Sequence, residues 1–266
     1  MSDDSINIAA RPASHGGSVY EGVTYAFVPG YRPLVLDLHV PPGSGPVPVV
    51  IWVHGGGFLS GDRRYLPKNM TPGSLFAALV RAGLAVATID YRLSVEARFP
   101  AQLDDIAAAL EFLRTHADHL GLDPGRIGIS GDSAGGCLAA LSALKGQGFA
   151  AAAAWYPVTD LRSWNPDPNS PEGMLFDAPP RQRRKLAESA SPVCQVSSAA
   201  PPFFLIHGTA DTVVPASHSE RLNSLLIEAG VQSTYLPVPG ADHCFEGHKN
   251  IGALIDKTVE FFARQL

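Results

Sequence analysis

Charge is what this chain has least of. Asp, Glu, Lys and Arg make up 17% of its 266 residues, against about 25% in an ordinary globular protein. So sparse a charge fits a compact protein better than a disordered or coiled-coil one, and a formal net charge of −5 gives no reason to expect a nucleic-acid partner. The basic cluster Arg181, Arg183, Arg184 and Lys185 is short and isolated, and reads as a solvated helix face. Long clean apolar runs are also missing, so no membrane span is expected. Cysteine is scarce: Cys137, Cys194 and Cys244 are an odd number, and no Cys/His spacing of the zinc type occurs. There is no H-E-x-x-H, and Gly55–Gly57 is not a G-x-G-x-x-G, so neither a metal nor a dinucleotide cofactor is expected. The opening Met1-Ser2-Asp3-Asp4 is acidic and lacks the apolar stretch of an export signal. A cytoplasmic setting with free thiols is therefore expected.

What is present is apolar content, 45% of residues, in a length that suits one large domain with a well-buried core. Eight strand-like runs stand near 19–28, 34–40, 47–53, 84–90, 126–130, 151–156, 202–207 and 233–238. Val49-Val50-Ile51-Trp52-Val53 and Phe203-Phe204-Leu205-Ile206 are continuously apolar, as parallel strands covered on both faces are. Helical spacing recurs in Leu103, Ile106, Leu110, Leu113 and Ala117, in Leu222, Leu225, Leu226 and Ala229, and in Ile251, Leu254, Ile255, Val259 and Phe262. Strands alternating with helices predict an α/β fold with a mostly parallel, eight-stranded sheet, flanked by helices and opened by an antiparallel pair. Residues 158–200, rich in Pro, Asp, Asn and Ser, interrupt the alternation. A lid insertion is expected there, with a helix near 180–189.

The chemistry is carried by Gly131-Asp132-Ser133-Ala134-Gly135, between an apolar run and a run of small residues. This is the strand, sharp turn and helix of a G-x-S-x-G nucleophile elbow. The flanking glycines are needed because a side chain at either place would strike a neighbouring element. Read alone, the pentapeptide is also compatible with a glycine-rich turn in which Ser133 caps a helix. A serine nucleophile further needs a base, an acid and donors for an oxyanion. The third strand ends in His54-Gly55-Gly56-Gly57-Phe58, glycines that let backbone N–H groups turn toward a ligand.

With His54–Phe58 and the elbow, the runs Asp90-Tyr91-Arg92-Leu93, Phe99-Pro100-Ala101-Gln102-Leu103-Asp104-Asp105 and His207-Gly208-Thr209-Ala210-Asp211 make the chain resemble the α/β-hydrolase superfamily. Within it the chain is similar to the esterases with an HGGG motif, the hormone-sensitive-lipase-like and small carboxylesterase-like groups that include feruloyl and acetylxylan esterases. The resemblance runs from Val19 onward. It implies oxyanion donors at Gly56, Gly57 and Ala134, and structural roles for Asp90, Tyr91 and Arg92, with Arg92 paired to Asp104 or Asp105. About twenty residues precede the first strand, too few for the helical cap of the larger relatives, so an open site is expected.

The superfamily order is serine, acid, histidine. Asp211, in the loop after the seventh strand, is the expected acid, with Asp160 as alternative. His243, after the last strand, is the expected base. His218 and His248 read as surface residues, and His54 and His207 as loop braces. A Cys244–His243 pair is disfavoured because chain neighbours seldom face each other. Phe58, Asp132 and Tyr156 are the expected substrate contacts. Trp155, Trp164 and Phe176 are further candidates for an aromatic pocket, although aromatics near a site more often pack the core. The expected function is a serine carboxylesterase acting on a small-molecule ester of short, medium or aromatic acyl type. An amidase such as an arylformamidase, or a ligand-binding protein on an inactive scaffold, are the alternatives. Oligomeric state is left open.

Overall fold

A computed structural model describes residues 9–13, 16–162 and 167–266. The strands are β1 (Arg11–Pro12), β2 (Ser18–Ala26), β3 (Leu34–Val40), β4 (Val47–Val53), β5 (Ala85–Ile89), β6 (Leu122–Asp132), β7 (Ala151–Trp155), β8 (Phe203–Gly208) and β9 (Ser233–Val238). They form one sheet in the order β1-β2-β3-β5-β4-β6-β7-β8-β9. The β1/β2, β2/β3 and β3/β5 pairs are antiparallel and the rest are parallel. Among the described residues the sheet thus has nine strands rather than the expected eight. The addition, β1, is a two-residue pairing on the outer edge, too short to leave a periodic signal.

The helices are α1 (Ser74–Arg81), α2 (Ala101–Thr115), α3 (Ala117–Leu120), α4 (Ser133–Leu144), α5 (Pro171–Phe176), α6 (Arg184–Ser189), α7 (Ser217–Glu228) and α8 (Ile251–Gln265). Alternation along β4 explains how they are sorted. Val49, Ile51 and Val53 face a core shared with α2, α4 and α7. Val50 and Trp52 face a second core, shared with α1 and α8. Successive side chains of a strand point to opposite faces, and both faces are covered, so all five residues are fully buried.

Residues 158–200 carry α5, α6 and short 3-10 turns at Pro180–Arg183 and Pro192–Cys194. α5 has a sequence signal of its own: Ser170 caps it by accepting Gly173 N–H, and Pro171 fills the first helical position. Leu161, Leu175, Phe176, Ala187 and Ala190 join the α2/α4/α7 core. The segment is also tied to the loop before α2, where Phe99 N–H donates to the Leu175 carbonyl and Arg98 pairs with Asp177 at 2.9 Å.

Candidate active site

β6 runs directly into α4 at Ser133, whose φ is 50°. That left-handed conformation turns the side chain away from the ladder at the carboxyl edge of the sheet. The flanking glycines have a steric cause. A Cβ on Gly131 would lie 2.5 Å from the Val53 carbonyl oxygen, and one on Gly135 only 2.1 Å from the same atom. The elbow therefore packs backbone to backbone against β4.

Ser133 Oγ lies 3.1 Å from His243 Nε2, and His243 Nδ1 lies 2.7 Å from Asp211 Oδ2. Asp211 accepts, so Nδ1 carries the proton and Nε2 is free to accept from the serine. Asp211 Oδ1 also accepts Val213 N–H and Val214 N–H at 2.9 and 2.7 Å. His207 Nε2 stands 2.8 Å from the Val214 carbonyl and 3.3 Å from Asp211 Oδ2. A carbonyl can only accept, so Nε2 holds the proton there, and His207 Nδ1 accepts from Ser219 Oγ at 2.7 Å. Burial works against the Asp211 charge, but the hydrogen bonds from His207, His243 and Val214 hold its carboxyl well below the usual carboxylate range. It is a fixed anion at neutral pH.

The acid and base loops are laced together. Asp242 accepts from Thr212 N–H and His243 N–H, each at 2.7 Å. Ala210 N–H donates to the Ala241 carbonyl at 3.0 Å. This close approach explains Gly208, where a Cβ would stand 2.3 Å from the Ala241 oxygen.

In the glycine loop after β4, Gly56 has φ 109° and Gly57 φ 63°. Among the described residues, neither Gly56 N–H nor Gly57 N–H has a hydrogen-bond acceptor. Ala134 N–H belongs to the first turn of α4, where helix donors lack intrahelical partners. The loop is braced on both sides. His54 stacks on Tyr91 at 4.4 Å, Tyr91 OH donates to the His54 carbonyl at 3.0 Å, and Ser94 N–H donates to the Phe58 carbonyl at 2.8 Å.

Phe58, Asp132 and Tyr156 stand behind the site, and not in its lining: each is at most 1% exposed. Phe58 packs into the core. Asp132 Oδ1 accepts Gly55 N–H at 2.8 Å, joining the elbow to the glycine loop. Burial pushes its carboxyl up to about 7, against the pull of Gly55 N–H and His243. The Tyr156 ring meets His243 edge-on at 4.8 Å. Trp155 and Phe176 are buried in the two cores, and Trp164 lies outside the described residues.

The other candidates separate clearly. Asp160 is engaged by Arg162 at 2.6 Å, whereas His243 Nδ1 is paired with Asp211. His218, expected at the surface, is buried instead: Nδ1 accepts Thr159 N–H at 3.0 Å, and burial drives the imidazole down to about 4. Helix position 2 of α7 looks polar in sequence, but the 157–161 loop folds over it. His248 is half-buried in the turn before α8. The three cysteines are free. Burial raises the Cys244 thiol to about 11, which leaves no thiolate for nucleophilic attack at neutral pH. Arg92 pairs with Asp105, at 2.6 Å, and Asp104 is exposed. Among the described residues no group of His, Cys, Asp or Glu could hold a metal, and no helix is long and apolar enough to cross a membrane.

Comparison with known proteins places this geometry in a family. The BD-FAE family profile matches residues 36–226. The esterase LipQ of Mycobacterium tuberculosis is 31% identical over 262 residues, covering 91% of this chain and 61% of LipQ. The carboxylesterase NlhH of the same organism is 36% identical over 53% of this chain and 42% of its own. The chain thus spans about three-fifths of the length of LipQ and half of that of the M. tuberculosis relative LipM. Among solved structures, a truncated carbohydrate esterase from gut microbiota superposes with TM-score 0.84 at 27% identity, covering 96% of this chain and 98% of that one. Esterase 2 of Thermogutta terrifontis has the same fold, with TM-score 0.74 at 24% identity over 92% of this chain and 94% of its own. With the α/β-hydrolase sheet and a family match across most of its length, this chain belongs to the BD-FAE family of α/β-hydrolases.

Proposed function

We propose that this chain is a serine carboxylesterase, hydrolysing esters of short- to medium-chain or aromatic acids through an acyl-enzyme. The observation that carries the reading is the hydrogen-bonded run Ser133 Oγ, His243 Nε2, His243 Nδ1, Asp211 Oδ2. His243 takes the serine proton as Oγ attacks the ester carbonyl carbon. Asp211 fixes the tautomer and stabilises the imidazolium. Gly56, Gly57 and Ala134 N–H groups receive the negative charge on the carbonyl oxygen, as preorganised donors do in acyl transfer. His243 then protonates the departing alcohol. A water molecule releases the acid by the same route in reverse.

Named esterases among the relatives, and esterase neighbours across nearly the whole chain, support the ester bond as the target. In this single-domain reading α5 is the part of the 158–200 insertion that covers the site, because Pro171 rests against Gly57: its Cγ lies 3.3 Å from where a Gly57 Cβ would stand. The test is a series of p-nitrophenyl esters from acetate to palmitate, for wild type and Ser133→Ala. Serine-dependent turnover highest at short chains is expected. Absence of turnover across the series, with N-formyl anilides hydrolysed instead, would replace the esterase by an amidase using the same three residues.

A further inference from the structure

β8 is apolar from Phe203 to Ile206 and then places a histidine at the carboxyl edge of the sheet. His207 is 0% exposed. A buried imidazole forfeits its hydration, so a native fold keeps one where its nitrogens find partners. Alternation along the strand puts His207 on the side of Phe203 and Leu205, which pack in the core shared with α7. There Ser219 Oγ, also fully buried, stands 2.7 Å from His207 Nδ1. The hydroxyl donates, and the ring is held in the tautomer that carries its proton on Nε2.

Nε2 faces the turn that carries Asp211. It lies 2.8 Å from the Val214 carbonyl and 3.3 Å from Asp211 Oδ2. These two contacts reach both carboxylate oxygens. Oδ2, the oxygen that takes His243 Nδ1–H, is approached directly. Oδ1 is reached through Val214, whose N–H donates to it at 2.7 Å while its carbonyl accepts from His207. A loop brace needs only the Val214 contact. The approach to Oδ2 adds a polarised N–H beside the oxygen that orients the base. A continuous run therefore leads from α7 to the nucleophile: Ser219, His207, Asp211, His243, Ser133.

We propose that His207, held by Ser219, is a positioning residue of the proposed reaction: it keeps the Asp211 carboxylate in the orientation that aligns His243 with Ser133, and touches no substrate. The inference rests on the esterase reading. Reacting groups misplaced by about 1 Å lose up to about 100-fold in rate, so freeing the acid lowers kcat and spares KM.

The experiment measures kcat and KM for p-nitrophenyl acetate in His207→Leu, His207→Gln and Ser219→Ala, and repeats His207→Leu and Ser219→Ala in an Asp211→Asn background. His207→Leu should lower kcat about 10- to 100-fold with KM within about twofold of wild type. Glutamine offers an acceptor oxygen and a donor nitrogen in the places of the two ring nitrogens, so His207→Gln should recover kcat to within about fivefold of wild type. Ser219→Ala should cost about 3- to 10-fold in kcat, the worth of one hydrogen bond. Groups that act as a unit are not additive, so with Asp211→Asn already in place neither further change should lower kcat by more than about twofold. A general loss of packing would subtract the same factor in both backgrounds, and that result would overturn the inference. So would wild-type kcat in His207→Leu or in Ser219→Ala. If His207→Leu does not fold, Ser219→Ala and its double variant decide by the same two criteria. Wild-type kcat in Asp211→Asn would remove the assignment of the acid, and absence of Ser133-dependent turnover in wild type would remove the esterase reading; either takes the inference with it.

Discussion

Asp132→Asn isolates the electrostatic cost built into the elbow. Asparagine keeps an oxygen to accept Gly55 N–H but has no proton to lose. In wild type, burial takes the carboxyl from 3.8 to about 7 on folding. Between those values the folded chain holds a proton that the unfolded chain has released, so stability falls as pH rises through this window. The contribution is complete below about pH 4 and gone above about pH 7, and amounts to about 4 kcal/mol at about 1.4 kcal/mol per pH unit. Between pH 5 and pH 8 roughly 2.5–3 kcal/mol of it is lost. Other titrating groups are common to both proteins and cancel in the comparison. Urea unfolding, followed by tryptophan fluorescence at unit steps across this range, gives the difference in unfolding free energy between variant and wild type. That difference should move in favour of Asp132→Asn by the stated amount. A gap constant to within about 0.5 kcal/mol would mean that the carboxyl titrates near its ordinary value, and that Asp132 is not a protonated tie between elbow and loop at acid pH.

Three further outcomes follow from other contacts. Asp211→Asn removes the acceptor that fixes His243 and should lower kcat for a short ester by about 10⁴-fold while KM stays close to wild type; steady-state kinetics on p-nitrophenyl acetate read it directly. Arg92→Ala leaves the buried Asp105 carboxylate unpaired and should cost about 3–5 kcal/mol, while the double change Arg92→Met, Asp105→Leu should cost much less, both measured by urea midpoint. Gly135→Ala places a methyl 2.1 Å from the Val53 oxygen, so β4 and α4 must separate; a loss of about 1–3 kcal/mol or more is expected in the same assay, together with loss of ester turnover.

The elbow was legible because its steric demand is written in residue type. Gly131 and Gly135 are glycine for a reason that spacing alone reports, and the order Ser133, Asp211, His243 fixes which loops must meet. Other contacts depend on helix phase. Asp105 and not Asp104 takes Arg92, because Gln102, Asp105, Ile106 and Ala109 share the buried side of α2, a 3.6-residue pattern in which a carboxylate can stand among apolar residues. The same pattern in Leu75, Phe76, Leu79 and Val80 marks α1. Orientation behind the site left no such trace. Asp132 and Tyr156 are expected substrate contacts by sequence, and the fold buries both. A strand alternates its side chains and a tight turn resets the phase, so a neighbour in sequence can end on the far side of the backbone. His218 escaped for a related reason: its burial depends on a loop some sixty residues earlier, through a hydrogen bond from Thr159 N–H.

The backbone itself records where the fold concentrates its strain. Among the described residues, six that are not glycine have positive φ: Phe58, Ser133, Tyr156, Asp177, Cys244 and Phe245. All but Asp177 lie in the loops that leave β4, β6, β7 and β9, the carboxyl edge where open α/β sheets place their chemistry. Each such conformation costs about 1–3 kcal/mol and persists only where the surroundings over-determine it. Here they do. Tyr156 N–H still bonds the Ile206 carbonyl at 2.7 Å, so the turn begins inside the sheet and its ring is thrown beneath His243. The Cys244–Phe245 turn drives the Phe245 ring against Trp155 and Tyr156, at 5.5 and 4.8 Å, and so anchors the loop that carries His243. Serine, tyrosine, cysteine and phenylalanine carry no sequence mark of left-handed backbone, unlike glycine. The strain is invisible until the sheet is assembled, and the rigid parallel strands offset it. In this chain the scaffold therefore does more than present three side chains: it holds the turns on which their alignment depends in conformations that those residues would not adopt alone.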